Sequence, residues 1–170
     1  MKFVVTFILV VFSMGTAWSA PHPLTGSSII NRPDNSLAFT QMGFKVAGIP
    51  DYWLYHKKIE SSQPTIEIGT PKKMLLSFRS ERVSSKTQLE TYVRQYLKDY
   101  NQYGLEVAGL QSNPGKVTVD LNQKNKLSKS RQMFFHKDSR MIIATCTDIT
   151  ESFDNTIKVC NQILSTFQWR

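Results

Sequence analysis

The side chains able to do chemistry in this chain are few and far apart. Its two cysteines, Cys146 and Cys160, lie fourteen positions from each other, which is neither a redox nor a zinc spacing. In an oxidising compartment an even pair favours a disulfide, and a bridge closing a loop of that size contributes about 3 kcal/mol in the chain-entropy picture. Two buried free thiols and a reactive or metal-binding pair are the other readings. Cys160 falls about three turns into a predicted helix while Cys146 is a few residues from a strand end, so the two need not come level. His22, His56 and His136 are isolated, with no Cys, Asp or Glu at ligand spacing, and each reads as a surface or satisfied histidine. No His-Glu-x-x-His, Gly-x-Ser-x-Gly or phosphate-cradling glycine loop occurs. A catalytic site would have to be assembled by folding from scattered carboxylates or a dispersed Ser, His and Asp. The expectation is a protein that is not an enzyme and carries no cofactor or metal.

The basic residues are the other chemical resource. Lys57, Lys58, Lys72, Lys73 and the set Lys116, Lys124, Lys126, Lys129 and Arg131 supply much of the formal charge of +8. They fall in or beside predicted loops and strand ends, with no run of like charge and no interleaved aromatic platform, which argues against a nucleic-acid binder. The second set is the candidate partner-binding patch, for an anionic membrane, a wall polymer or an acidic protein. Its plain alternative is solvated surface.

The elements that must position these groups can be read from periodicity. Met133-Phe134-Phe135 and Met141-Ile142-Ile143-Ala144 are continuous apolar runs, as expected of strands covered on both faces, and Lys137-Asp138-Ser139-Arg140 has the length of a two-residue hairpin loop. Asp148 and Glu151 then make a plausible cap for a helix whose stripe is Phe153, Ile157, Cys160, Leu164 and Phe167, carrying the chain to its end. Upstream, Leu37 to Val46 reads as a strand pair or one bent strand broken near Gly43, and Pro50 forces a turn into a strand over 53–59. A short apolar segment at 65–68 and a buried strand at 73–79 follow. The clearest helix opens at Ser84 or Ser85, with Leu89, Tyr92, Val93, Tyr96, Leu97 and Tyr100 on one face and Gly104 as its stop. Leu105 to Leu110 and Lys116 to Leu121 bracket the turn Asn113-Pro114-Gly115 as a hairpin with one wet face, and 122–130 reads as a polar loop. Strands in hairpin succession with two interspersed helices give an α+β fold, a central antiparallel sheet flanked by helices.

The N-terminal stretch reads as an address. Met1 and Lys2, the apolar run Phe3 to Phe12 and the ending Ala17-Trp18-Ser19-Ala20 predict a cleaved signal peptide over 1–20, too short to serve comfortably as a membrane span. A flexible leader rich in Pro, Ser, Asn and Gly follows over 21–36, then one domain over 37–170. Loss of Lys2 leaves a charge of about +7. The expected location is the periplasm or the extracellular space, with no stable transmembrane anchor.

The order of elements, a Gly-Phe-x-Val strand at Gly43 to Val46, a Pro-x-x-Trp turn at Pro50 to Trp53, the hairpin near residue 140 and the closing Ile163-Leu164-Ser165-Thr166-Phe167 together resemble the Mog1/PsbP/DcrB-like domain. The resemblance spans residues 37–169, and the small exported bacterial members are its nearest context. It implies a sheet sandwiched by helices on both faces (α/β/α), and binding or assembly work in place of catalysis, with no catalytic residues to carry over. DcrB-type members are often lipoproteins, and this chain departs from them in lacking the anchoring cysteine. The function expected is an exported accessory subunit or adaptor with a protein partner in the envelope or secretion machinery, docking through a sheet edge, the leader or basic loops. A carrier of a small apolar ligand or lipid, with a pocket lined by Trp53, Tyr92, Tyr96 and Phe134, is the alternative. An envelope hydrolase is the third reading.

Overall fold

The computed structural model describes residues 28–29, 34–58 and 65–170. The expected signal peptide and His22 lie outside the described residues, as does most of the expected leader.

The strands are β1 (Ser28–Ile29), β2 (Leu37–Phe39), β3 (Phe44–Val46), β4 (Leu54–Lys58), β5 (Thr65–Thr70) and β6 (Lys73–Arg82). Helix α1 (Leu89–Tyr96) and a 3-10 turn (Tyr100–Tyr103) follow. Then come β7 (Leu105–Asn113), β8 (Lys116–Gln123), β9 (Ser128–Lys137), β10 (Arg140–Ile149), helix α2 (Thr150–Ser165) and β11 (Gln168–Trp169). The described strands form an eight-stranded sheet in the order β1-β4-β5-β6-β10-β9-β8-β7 and a three-stranded one in the order β11-β3-β2, antiparallel throughout. No described helix is long and apolar enough to cross a membrane.

The expected hairpin near residue 140 is the centre of the large sheet. Arg140 pairs with Lys137 across a two-residue turn in which Asp138 takes a positive φ of 55°, and β10 is bracketed by β9 and β6. Alternate residues of β10 feed different apolar clusters, since successive strand side chains point to opposite faces. Ile142, Ala144 and Cys146 join Cys160, Ile163 and Leu164 of α2, together with Phe39, Phe44, Val46, Trp53 and Phe78. Met141 and Ile143 join Val93 of α1 and Leu97 at its C-cap, with Val117, Val119, Leu121 and Phe134.

Four sequence-based expectations need correction. The last helix stops at Ser165, because Phe167 turns inward and stacks on Phe135 at 4.0 Å and on Phe44 at 5.2 Å, and Gln168–Trp169 pairs with β3. The α2 cluster is therefore roofed by a small sheet as well as by a helix. The first helix is shorter than its stripe: it begins after Gln88, which supplies no side-chain cap, and tightens past Leu97 into the 3-10 turn that Gly104 ends at φ 75°. Residues 128–130 belong to β9 and leave only a short turn where the polar loop was expected. Asp148 does not cap α2, whose N-cap position is Ile149.

The β5–β6 hairpin depends on Gly69. A Cβ there would lie 2.2 Å from the Lys73 carbonyl oxygen and 2.7 Å from the Leu75 nitrogen, so only glycine allows the tight return that brings Lys73 back beside Thr70.

Candidate functional site

Three polar regions surround the two clusters, and the cysteines mark the first. Cys146 and Cys160 are bonded, with Cα atoms 6.3 Å apart and both side chains fully buried. Helix α2 starts as soon as β10 ends and doubles back along it. Four residues of strand and ten of helix each cover roughly 13–15 Å, so the sulfurs come level. The level of the two cysteines is thus set by rise per residue, which is more than twice as large in a strand as in a helix.

Just beyond this bridge Asp148 is 5% exposed. Its Oδ1 accepts from the Lys73 ammonium and from the Ile149 amide at 2.6 Å, and its Oδ2 accepts from the Thr156 hydroxyl at 2.5 Å. Burial pushes this carboxyl up, but those hydrogen bonds and the Lys73 charge outweigh burial and hold it below the usual carboxylate range. The pair lines a cleft of about 360 Å³ between the Pro50–Trp53 turn, the β5–β6 hairpin and the first turns of α2.

A second cleft, of about 180 Å³, flanks the other side of the α2 N-terminus and is lined by Lys126, Lys129, Ser128, Gln123, Glu106 and Thr150. Two residues of the basic set, Lys126 and Lys129, line it, and Lys124 lies in the same β8–β9 turn as Lys126. Lys124 donates to the Asn101 carbonyl at 3.1 Å, while Lys126 and Lys129 have no ion-pair partner among the described residues. Arg131 lies further along β9, held by Asp120 through a bidentate pair at 2.6 and 3.0 Å. Lys116 is at the opposite end of β8, roughly 20 Å along the strand from Asn122, and does not join the group.

The third region borders α1. The Tyr92 hydroxyl donates to Glu81 at 2.5 Å, Glu81 pairs with Arg79 at 2.8 Å, Arg79 donates to the Tyr96 hydroxyl, and the Tyr100 hydroxyl donates to Gln132 at 3.2 Å. Burial, and after it the hydrogen bond to Glu81, pushes the Tyr92 hydroxyl well above the ordinary tyrosine range. The four residues expected to line a carrier pocket do not share one. Trp53 belongs to the α2 cluster and Phe134 to the α1 cluster, against which Tyr92 and Tyr96 pack.

His56 lies on β4 with its Nδ1 buried and unpartnered, and His136 on β9 has its Nε2 in the same condition. Among the described residues no group of three or more His, Cys, Asp or Glu could hold a metal ion. Sequence reading missed Asp148 and Lys73 as a pair. Seventy-five positions separate them, and only the register of β6 against β10 brings them together.

No family model matches the chain, and no curated protein matches it. Its fold is similar to that of cyanobacterial PsbP (CyanoP) from Synechocystis sp. PCC 6803, seen in solution, with a TM-score of 0.60 at 12% identity over 89% of this chain and 96% of that one. A crystal structure of a protein from Bacteroides thetaiotaomicron VPI-5482 aligns with a TM-score of 0.47 at 9% identity, over 79% of this chain and 48% of that one.

Proposed function

We propose that this chain, which has the PsbP-like fold, is an exported, non-enzymatic binding protein serving as an accessory subunit or adaptor in the cell envelope. It docks an acidic partner protein with the β8–β9 end of its large sheet. The observation that carries this reading is the pair Lys126 and Lys129, which share one cleft and lack an ion-pair partner there among the described residues. Arg131, by contrast, is neutralised by Asp120. Two ammonium groups without an ion-pair partner outnumber the one carboxylate of this cleft, Glu106, and such an excess on a concave rim raises association rates with partners of opposite sign and selects for them.

The rest of the reading follows from the sequence. A signal peptide over 1–20 and a leader over 21–36 deliver one domain, 37–170, to the periplasm or beyond, where the Cys146–Cys160 bridge persists. Its two helices cover opposite faces of the sheet as an α/β/α layering, supported by the presence of Val93 in one cluster and Ile163 in the other. The resemblance to Mog1/PsbP/DcrB-like domains points the same way, to assembly work.

The test is co-purification of the tagged, exported protein with mass spectrometry of what it carries, for the wild type and for Lys126→Glu combined with Lys129→Glu. A stoichiometric partner that is released by moderate salt and lost in the double variant is the expected result. A partner retained undiminished by the double variant would overturn the assignment of the docking end.

A further inference from the structure

The larger cleft has a different chemistry from the basic end. Its floor is the Lys73–Asp148 pair, with no net charge. An ammonium has three donors and a carboxylate about four acceptor sites. After Lys73, Ile149 and Thr156 have taken their places on Asp148, Lys73 keeps donors to offer and Oδ2 keeps an acceptor site. Asn155, on the rim, adds an amide that both donates and accepts.

The wall is aromatic. Tyr52 is 63% exposed, large for an aromatic residue with no partner to cover it, and the next residue, Trp53, is 1% exposed. The Trp53 indole Nε1 is buried without a hydrogen-bond partner.

These features discriminate between ligand classes. A simple anion meets the Asp148 carboxylate beside Lys73 and gains little. An acyl chain would strip water from an ion pair and receive no hydrogen bond in exchange. Closely spaced donors and acceptors of balanced charge next to an exposed ring suit a molecule with adjacent hydroxyls on one side and an apolar CH face on the other. We infer that this cleft is a binding site for a neutral saccharide. One hydroxyl of a vicinal pair accepts from Lys73, its neighbour donates to Asp148 and accepts from Asn155, and the CH face lies on the Tyr52 ring. The volume suits a small ligand.

The experiment titrates the full chain with glucose, N-acetylglucosamine and N,N′-diacetylchitobiose. It follows the Trp53 indole N–H resonance, assigned through Trp53→Phe, with the Trp169 resonance as internal control. The expected result is a saturable shift of Trp53 alone with at least one sugar, and affinity at least tenfold weaker in Tyr52→Ala and in Asn155→Ala. Both positions are at the surface, and thermal melting verifies that those variants fold. Absence of a saturable shift with every sugar overturns the inference, as does unchanged affinity in both variants, or tighter binding of acetate or a short peptide than of any sugar. The Lys126→Glu, Lys129→Glu variant keeps sugar binding unaltered, so this site and the docking end stand or fall separately.

Discussion

The two apolar clusters are held by different means. On the α2 side, Phe39, Phe44, Phe78, Phe135 and Phe167 run ring to ring at centroid spacings from 4.0 to 6.0 Å, a disulfide ties helix to strand, and the small sheet closes over the rest. On the α1 side a helix of 8 residues covers the sheet; its Tyr92 and Tyr96 are fixed at their tips by Glu81 and Arg79, and Tyr100 of the 3-10 turn by Gln132. A helix that short is marginal without its tertiary contacts. One side is cross-linked and apolar, the other tied by polar bonds that water can replace. The α1 side is therefore expected to open first, with its amides exchanging faster than those of α2.

The largest test of this contrast is Phe78→Ala. Phe78 is fully buried against Phe44 at 5.0 Å, and its truncation is expected to cost about 3–5 kcal/mol in urea unfolding. Val93→Ala, also fully buried but in the smaller cluster, should cost about 2 kcal/mol. Equal costs would erase the distinction. Replacing both cysteines by alanine comes next, with a loss of about 3 kcal/mol and the protection of α2 amides brought down toward that of α1.

Which of these parts could be read from the sequence follows from how local their signals are. The 137–140 hairpin was legible because a charged turn stands between two apolar runs, and Ile142 and Ile143 together announced a strand buried on both faces. β11 was not legible: Phe167 continues the α2 stripe at helical spacing, and only the ring stack on Phe135 shows that the chain has left the helix. The cysteine pairing was half legible, since parity suggested a bridge but the level of the two sulfurs depended on where β10 stops and α2 starts. Of the basic set, the β8–β9 turn collects Lys124, Lys126 and Lys129 by proximity in sequence, whereas Lys116 drops out because a strand carries it away. Asp148, Lys73 and Trp53 come from three distant segments, and no spacing rule joins them.

A smaller effect separates the two sides by pH. Asp148 has a folded pKa below its unfolded value of about 3.9, so the stability it contributes is fully present above that value and is lost as pH falls through the folded pKa. Asp148→Asn should cost about 1–2 kcal/mol at neutral pH, discounted because the Lys73 side chain is 42% exposed, and should flatten the acid limb of the stability curve. An acid limb that keeps its slope in the variant would mean that other carboxylates dominate it.

The smallest effect is the sharpest on the α1 side. In Tyr92→Phe the ring stays against the cluster and Glu81 keeps Arg79 at 2.8 Å, so no carboxylate is orphaned and the loss is one hydrogen bond, about 1 kcal/mol. The raised folded pKa of Tyr92 sets the sign at the other end of the pH scale. Its contribution is complete below the unfolded value of about 10 and is lost as pH rises toward the folded one, so the wild type should lose its advantage over Tyr92→Phe in alkali. Hydrogen exchange decides whether the two clusters are separate opening units. Faster exchange confined to α1 in this variant means that they are, because a bond at the tip of one tyrosine then loosens only the helix that carries it. Equal acceleration in α2 means that α1 and α2 open together through β10, whose alternate side chains feed both clusters.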